Sequence, residues 1–453
     1  MTALPGTPKK ELTLLDTTCL IVGIIVGVGI FQVPPLVAAS AGSAVAMLAV
    51  WAAGGLLSLC GGLVYAELAT AWPREGGDYV YLSRAYGRWA GFLFGWIQLV
   101  IVRPGDIAAT ALAFATYACA IYDPLGGSQG SAGTLVYAGV AVAALTVLNV
   151  AGVRLGKWAQ NVLTIVKALG LVAIVGAALL AALLAPPAAA RPQEAAGGPP
   201  LALAFILVLF TFGGWNEMAY VAAEVKDSRR NIVRAMALGI LAVAGLYLLV
   251  NAAYLLALGY AGVASSKAVA ADAVSGLLAG VGVLAVSALV CTSALGSVNG
   301  LIFTGARISY ALGAEHRGFG PLGRWQPRTG TPAAALLVQG AIAIALVVAL
   351  KTFFNTVVYT AATVYAFYLA TSIAVIVLRF REPQTERPYR VLGYPVTPLV
   401  FAGVCAFLIY SAVKYLIYIA EWNEQVVAVI SFGLLALGVP VYLLTRRGNR
   451  PPA

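Results

Sequence analysis

Charged residues are scarce in this sequence. Only 10% of its 453 residues are Asp, Glu, Lys or Arg, whereas 61% are hydrophobic. A soluble domain usually carries about 25% charged residues, so a soluble globular protein is excluded. We predict an integral membrane protein whose apolar surface contacts the lipid bilayer.

Histidine and paired cysteines are also lacking. The single histidine is His316, and the five cysteines fall within apolar runs without a CxxC pair. This inventory offers no metal cluster, no disulfide framework and no nucleophile–base pair. We therefore expect no metal, no cofactor and no enzymatic activity, and we expect His316, which lies in a basic loop, to be solvated.

Acidic residues are fewer than basic ones, and the formal net charge is +11. Most basic residues fall in alternate loops between the apolar runs. The remaining loops carry only Arg191, Lys267, Lys351 and Lys414. This is the positive-inside pattern of membrane proteins, so we predict cytoplasmic N- and C-termini, a plasma-membrane location and no nucleic-acid partner.

Long apolar runs are abundant. Twelve of them approach or exceed the length of about 20 residues that a helix needs to cross a bilayer. They cover residues 14–38, 43–71, 89–121, 133–151, 158–184, 200–223, 235–258, 274–312, 332–350, 354–378, 396–418 and 425–445. The predicted fold is an all-α membrane protein with twelve transmembrane helices.

Two of these runs are interrupted by glycine. The first contains Gly23–Phe31, with prolines at 34 and 35, and the sixth contains Phe210–Asn216. Backbone groups freed by a helix break cost several kcal/mol in hydrocarbon unless protein or a wet cavity satisfies them. A glycine-rich packing face would explain the first run alone. Equivalent positions in two five-span halves instead favour a pair of broken helices around a binding site.

Several motifs, taken in order, resemble the amino acid–polyamine–organocation (APC) superfamily. Three of them are Gly23–Phe31, Tyr65–Leu68 and Pro73–Tyr79. Five more resemble its L-type amino acid transporter branch: Arg103-Pro104, Phe210–Asn216, Glu224–Asn231, Gly296–Gly300 and Arg387–Pro395. The resemblance extends from about Leu12 to the last span.

This resemblance implies a 5+5 inverted repeat with discontinuous helices 1 and 6, followed by two peripheral helices. The expected organisation is a cytoplasmic tail (1–11), a first repeat (12–184), an extracellular linker (185–199), a second repeat (200–380), a cytoplasmic loop (381–395), helices 11 and 12 (396–446) and a second tail (447–453). No predicted outer loop contains cysteine, so no disulfide-linked partner subunit is expected.

The function that the resemblance implies is sodium-independent amino acid transport by alternating access, as an antiporter or by facilitated uptake. A neutral substrate is favoured because no side chain within the two breaks is charged, although Glu217 follows the second break and could select a cationic one. Alternatives are a proton-coupled symporter and a carrier of cationic amino acids or polyamines. A channel is the alternative of a different class, but two local breaks are not a continuous polar pore.

By resemblance, the backbone of the two breaks binds an amino acid zwitterion. The substrate carboxylate is expected on Gly27, Val28 and Gly29, at the positive end of a half-helix. The ammonium is expected on carbonyl groups of the following residues: Ile25, Phe210, Thr211 and Gly213. Many family members have serine where this chain has Val28, which predicts altered selectivity.

Aromatic and amide side chains surround the second break. By resemblance, Phe210 is the gate that closes over the substrate, although its spacing alone favours an ordinary core phenylalanine. Trp215 and Asn216 are expected to line the pocket or to brace the unwound segment.

Charges inside the spans are expensive to bury, which points to function. Lys167 matches a family lysine that replaces sodium, linking the first break to Ser293 or Ser297; it could also couple proton movement, or snorkel to an interface. Arg103 and Asp106 are expected to neutralise each other on one helical face. Two further acidic residues, Glu67 and Glu224, are expected to pair with the basic loops.

Overall fold

A computed structural model describes residues 10–125, 132–184, 201–266, 268–275, 277, 282–351, 353–418 and 422–445. The predicted linker 185–199, the tail 447–453 and most of the tail 1–11 lie outside these residues. Within them the regular secondary structure is helical, and only isolated bridges, such as Leu12 with Val225, pair extended backbone. The prediction of an all-helical protein is confirmed.

The helices are numbered in chain order. They are α1 (Leu14–Ile25), α2 (Gly29–Ala41), α3 (Ala44–Ala71), α4 (Asp78–Tyr86), α5 (Arg88–Ile97), α6 (Arg103–Ile121), α7 (Ala132–Ala151), α8 (Val153–Leu184), α9 (Leu201–Thr211), α10 (Glu217–Tyr220), α11 (Ser228–Ser265), α12 (Val269–Ser275), α13 (Gly282–Glu315), α14 (Ala333–Leu350), α15 (Phe353–Arg381), α16 (Val396–Tyr418) and α17 (Trp422–Thr445).

Many of these helices are long and apolar enough to cross a membrane. Among the described residues nine helical stretches meet that condition, and α1 with α2 makes a tenth if this pair, bent by 48°, is one span. The predicted run 274–312 is not one continuous helix, because α12 ends at Ser275 and α13 begins at Gly282.

Helix packing brings the two interrupted regions together. The first half-helix, α1, packs against α8, α11 and α13, while α2 packs against α9. The helix pairs α3–α11 and α6–α13 enclose them on either side. The cavity described below lies at the centre of this arrangement.

The start of α1 is fixed by a capping box and by α8. The Thr13 side chain caps the helix, and the Asp16 carboxylate accepts a hydrogen bond from the Thr13 backbone N–H at 2.9 Å. This satisfies two backbone donors that a helix end leaves free. Asp16 also pairs with Lys157 at 3.2 Å and accepts a hydrogen bond from Asn161 at 2.7 Å. α1 therefore begins at a fixed position relative to α8.

A π-helical turn, Gln98–Val102, precedes α6 and sets the direction of Arg103. The Arg103 N–H donates to the carbonyl of Gln98, five residues back, immediately before Pro104. Proline has no N–H to continue the ladder, so the wider turn accommodates it. Such turns occur frequently at functional sites.

Candidate functional site

The two predicted breaks are present and pack against each other. The first separates α1 from α2 at residues 26–28, and the second separates α9 from α10 at residues 212–216. Gly214 has a φ of 108°, which favours glycine. A Cβ atom on Gly214 would lie 2.5 Å from Ile24, and one on Gly29 would lie 2.6 Å from Thr211. The glycines therefore permit both the turn and the close approach.

Two serine hydroxyls of α13 donate hydrogen bonds to carbonyl oxygens at the first break. The Ser297 hydroxyl donates to Gly23 at 3.2 Å and to Ile24 at 3.3 Å. The Ser293 hydroxyl donates to Val26 at 2.8 Å and to Gly27 at 3.3 Å. Because unpaired backbone groups are costly in a membrane interior, these two serines of α13 stabilise the broken conformation.

Lys167 completes this set from α8. Its ammonium group is fully buried and donates to the carbonyls of Gly23 at 2.6 Å, Val26 at 2.9 Å and Ser293 at 2.8 Å. All three hydrogen positions of the ammonium have acceptors. The geometry places Lys167 behind the first break, between α1 and α13, and not at an interface with solvent.

The Ile25 carbonyl, predicted to bind the substrate ammonium, is already in use. It accepts hydrogen bonds from the Gly27 N–H at 2.8 Å and from the Tyr247 hydroxyl at 2.9 Å. A carbonyl oxygen has two lone pairs, so in this conformation neither Ile25 as acceptor nor Gly27 as donor is available to a ligand. The expectation for these two backbone groups therefore does not agree with the structure.

Tyr247 of α11 is a site residue that the sequence reasoning missed. Its buried hydroxyl lies 2.9 Å from the Ile25 carbonyl and 3.4 Å from the Thr211 carbonyl. It therefore bridges the two breaks. The ring packs edge-on against Trp51, with centroids 5.6 Å apart. A tyrosine within an otherwise apolar span was the only available signal.

The groups that remain for a ligand are complementary to a zwitterion. Val28 and Gly29 stand at the start of α2, where an α-helix offers its first N–H groups no internal acceptor. Opposite them, α9 ends at Thr211, where a helix leaves its last carbonyl groups without internal donors. The Phe210 carbonyl accepts from the Gly213 N–H at 2.9 Å, and the Thr211 carbonyl lies 3.4 Å from the Tyr247 hydroxyl. Donors thus face from the first break and acceptors from the second.

A cavity of about 160 Å³ lies between the breaks. Every residue predicted to bind substrate lines it: Ile25, Gly27, Val28, Gly29, Phe210, Thr211, Gly213, Trp215 and Asn216. Its other walls come from α6, α15 and α16, including Thr110, Tyr365, Tyr368, Val404 and Leu408. The predicted Lys167 and Ser293 stand behind the first break and are not part of the wall, whereas Ser297 is.

Trp215 and Asn216 occupy the turn of the second break. The Trp215 ring packs edge-on against Tyr65, with centroids 5.1 Å apart, and lies 5.4 Å from the ring of Tyr368. The Asn216 side chain hydrogen-bonds to Tyr220 at 2.7 Å and to Tyr368 at 2.9 Å. Both residues line the cavity and brace the unwound segment at the same time.

The charges beside the cavity pair differently from the prediction. Arg103 forms an ion pair with Glu217 at 2.7 Å, and Glu217 also accepts a hydrogen bond from Thr304 at 2.5 Å. The ion-pair partner of Arg103 is therefore Glu217 and not Asp106, although Arg103 and Asp106 still attract each other electrostatically. Asp106 instead accepts a hydrogen bond from Thr360.

Glu67 and Glu224 have basic partners away from the cavity. Glu67 pairs with Arg379 at 2.6 Å and Arg387 at 3.5 Å, and it accepts the Val391 N–H at 2.7 Å. Glu224 pairs with Arg307 at 2.7 Å. The first cluster joins α3 to α15 and the following loop, and the second joins the end of the second break to α13.

Two other predictions concern histidine and metal. His316 is 1% exposed and packs edge-on against Phe92, with ring centroids 4.8 Å apart. The expectation that it is solvated is wrong, because α5 and α17 cover it. In the described ranges no group of His, Cys, Asp and Glu has an arrangement that could hold a metal ion.

A family model described as amino acid permease matches residues 12–435 of this chain. Individual relatives cover most of its length as well. The large neutral amino acids transporter small subunit 2 of Oryctolagus cuniculus is 32% identical over 445 residues, which are 96% of this chain and 80% of the relative.

Two other transporters show similar identity. The b(0,+)-type amino acid transporter 1 of Mus musculus is 32% identical over 409 residues, 89% of this chain and 83% of the relative. The Asc-type amino acid transporter 1 of Homo sapiens is 33% identical over 447 residues, 96% of this chain and 82% of the relative.

Proposed function

The chain belongs to the amino acid permease family of the APC superfamily, and on this basis we propose that it carries neutral amino acids across the plasma membrane. Transport is independent of sodium and proceeds by alternating access, as exchange or facilitated uptake. The names of the relatives, which include a large neutral amino acids transporter and an Asc-type amino acid transporter, support this substrate class.

The observation that carries the proposal is a cavity lined by the backbone of both breaks, with the start of α2 on one side and the end of α9 on the other. The N–H groups of Val28 and Gly29 bind the substrate carboxylate, and the carbonyls of Phe210 and Thr211 bind its ammonium. Such backbone sites suit a zwitterion because they supply partial charges of both signs. Phe210 closes over the bound substrate, and the remaining walls receive its side chain.

The ammonium of Lys167 supports sodium independence. It holds carbonyl oxygens of the first break and of α13, the kind of oxygen ligand that a hard cation would otherwise use. An ammonium group attached to the chain makes a bound metal ion unnecessary for holding α1 against α13.

We also propose the finer architecture on this basis. Twelve spans form two inverted five-helix repeats (12–184 and 200–380), joined by the linker 185–199 and followed by peripheral helices in 396–446. Both termini lie in the cytoplasm, and no partner subunit is attached by a disulfide. Spans 1, 2, 6 and 7 rock against spans 3, 4, 8 and 9 around the cavity.

Uptake by purified protein in liposomes tests the proposed function. We expect saturable uptake of labelled neutral amino acids, acceleration by unlabelled amino acid inside the vesicle if exchange operates, and equal rates with sodium or choline outside. A pH gradient in a parallel arm distinguishes proton symport. Non-saturable flux would indicate a channel, and a sodium requirement would contradict the role of Lys167.

A second candidate substrate class, cationic amino acids, is favoured by Asp106. Its carboxylate lines the cavity and, in the described part of the chain, takes part in no ion pair, because Arg103 pairs with Glu217. The three groups together carry a net charge of −1, which a cationic side chain would neutralise. The b(0,+) type in the name of one relative points to the same substrate class.

Asp106→Asn tests this second candidate. If Asp106 binds a cationic side chain, the variant loses uptake of lysine and arginine while its uptake of neutral amino acids is retained. Thr110→Ala, a change on the same helix and the same cavity wall, is the matched control. Wild-type protein that transports neutral amino acids and rejects lysine would exclude the cationic class.

A further inference from the structure

The amide of Asn216 is fixed by two tyrosines. Its nitrogen donates to the Tyr220 hydroxyl at 2.7 Å, and its oxygen accepts from the Tyr368 hydroxyl at 2.9 Å. Asn216 and Tyr368 line the cavity, whereas Tyr220 does not. The orientation of a cavity-lining amide therefore depends on a residue behind the wall.

The direction of these hydrogen bonds is set by Asp78. The Tyr220 hydroxyl has one proton, which it donates to the Asp78 carboxylate at 2.8 Å, so the same oxygen accepts from Asn216. This order requires the nitrogen of the Asn216 amide to face Tyr220 and its oxygen to face Tyr368. The Asp78 carboxylate thus determines which group donates and which accepts in each hydrogen bond from Tyr220 through Asn216 to Tyr368.

Asp78 is buried without a cation. It is 1% exposed and, across the residues that the structure describes, forms no ion pair. Three hydroxyls solvate it instead: Tyr65 at 2.6 Å, Thr371, and Tyr220. A carboxylate is acceptor-only and is costly to bury, so its place must be enforced by the fold.

Two glycines bring the Asp78 carboxylate to Tyr220. Gly76 has a φ of 94° and Gly77 a φ of 47°, both in the left-handed region that favours glycine. A Cβ atom on Gly77 would lie 2.6 Å from the Tyr220 ring, and the Gly76 N–H points to the Tyr220 carbonyl at 3.4 Å. The two glycines therefore allow the loop before α4 to pack closely against Tyr220 of α10.

We propose that Asp78 is a positioning residue for the substrate site, which orients the Asn216 amide through Tyr220. The inference rests on the proposed function, because Asn216 must meet a transported amino acid for its orientation to matter. Asp78 does not line the cavity and touches no substrate. Its contacts with Tyr65 and Thr371 hold the carboxylate in place, and its contact with Tyr220 transmits the orientation.

Tyr220→Phe and Asp78→Asn test this role in amino acid uptake by liposomes. Asp78→Asn removes the charge at the end of the chain of hydrogen bonds, and Tyr220→Phe removes the hydroxyl that connects this end to Asn216, each with little change in volume. We expect KM to rise about tenfold, the loss that one hydrogen bond to a charged group produces, while the maximal rate stays within about twofold. Tyr81→Phe is the matched control, because it removes a buried hydroxyl of α4 that has no hydrogen-bond partner among the described residues. It is expected to leave KM within about twofold.

Two results would overturn the proposal: an unchanged KM in Tyr220→Phe, or an equal rise of KM in Tyr81→Phe, which would indicate general loss of packing. Melting temperatures of all three variants identify any that fail to fold. If Asp78→Asn fails to fold, the KM of Tyr220→Phe decides the matter. Wild-type protein that takes up no amino acid would overturn the proposed function itself, and this role with it. Normal wild-type uptake with an unchanged Tyr220→Phe variant overturns this role alone.

Discussion

Tyr247 contacts the backbone of both breaks. Its hydroxyl lies 2.9 Å from the Ile25 carbonyl and 3.4 Å from the Thr211 carbonyl. Because both carbonyls belong to other helices than Tyr247, the hydroxyl contributes to the relative position of the two halves of the site.

Tyr247→Phe is expected to weaken both folding and transport. Leaving a buried carbonyl without this donor costs roughly 1–3 kcal/mol, so we expect a lower melting temperature and reduced uptake. Tyr254→Phe is the matched control, because this tyrosine lies two turns along the same helix and its buried hydroxyl has no hydrogen-bond partner in the described ranges. Equal effects in the two variants would contradict a bridging role.

Glu75, in the loop between α3 and α4, gives the stability of the protein a dependence on pH. Burial raises the pKa of this carboxyl to about 7, and the nearby Glu224 carboxylate adds to the shift while Arg307 and Arg74 oppose it. Because the folded state holds the proton more tightly than the unfolded state, this group costs stability as pH rises from about 4.5 to 7.

Glu75→Gln should therefore flatten the pH dependence of stability. The wild-type melting temperature in detergent is expected to fall more between pH 5 and pH 8 than that of the variant. Glu386→Gln is the control, because its side chain is 69% exposed and forms only a surface ion pair with Arg229. An equal fall in melting temperature between pH 5 and pH 8 for wild type and Glu75→Gln would refute this assignment.

At the scale of helices, the site depends on two spans that are short because they are broken. α1 has 12 residues and α9 has 11. Helices of this length are marginal alone. Packing of α1 against α8, α11 and α13, and of α9 against α2 and α3, stabilises them. The break between α9 and α10 is also where Gly214 meets Ile24 of α1.

Gly214→Ala is expected to disrupt this contact. The new methyl group would collide with Ile24, and the left-handed φ of 108° is unfavourable for alanine. We expect strongly reduced uptake and a lower melting temperature. Gly139→Ala, in the middle of α7 where a Cβ would have no neighbour within 4 Å, is the control. It should be neutral or slightly stabilising, because alanine favours helix over glycine by about 1 kcal/mol.

At the scale of the whole molecule, Lys167 connects helices that are far apart in sequence. It extends from α8 to the first break and to α13, which belong to the first and second proposed repeats. Each hydrogen bond from a charged donor is worth about 1.5–3 kcal/mol. The ammonium therefore joins the two halves at the level of the cavity.

Lys167→Met, which keeps the aliphatic stem and removes the ammonium, is expected to abolish uptake and lower the melting temperature by several degrees. The wild type should take up amino acids at the same rate with and without sodium. Lys226→Met, a change at an exposed lysine, should leave both quantities unchanged. Normal uptake by Lys167→Met would show that the ammonium is dispensable.

The sequence by itself determined the membrane class, the positions of the two breaks and the backbone chemistry around them. These follow from local properties: apolar runs fix helices, and glycine clusters fix where they break. The motifs of the family located Lys167, Ser293 and Ser297 as well, because those residues are recognisable in order along the chain.

Only the tertiary structure decided which groups of the site are already occupied. The pairing of Arg103 with Glu217, the use of the Ile25 carbonyl by Tyr247, and the burial of His316 all join segments distant in sequence. Whether a hydrogen bond or an ion pair forms depends on differences of a few tenths of an ångström in the distance between its two atoms. Such distances arise from helix packing, which no local pattern of residues records.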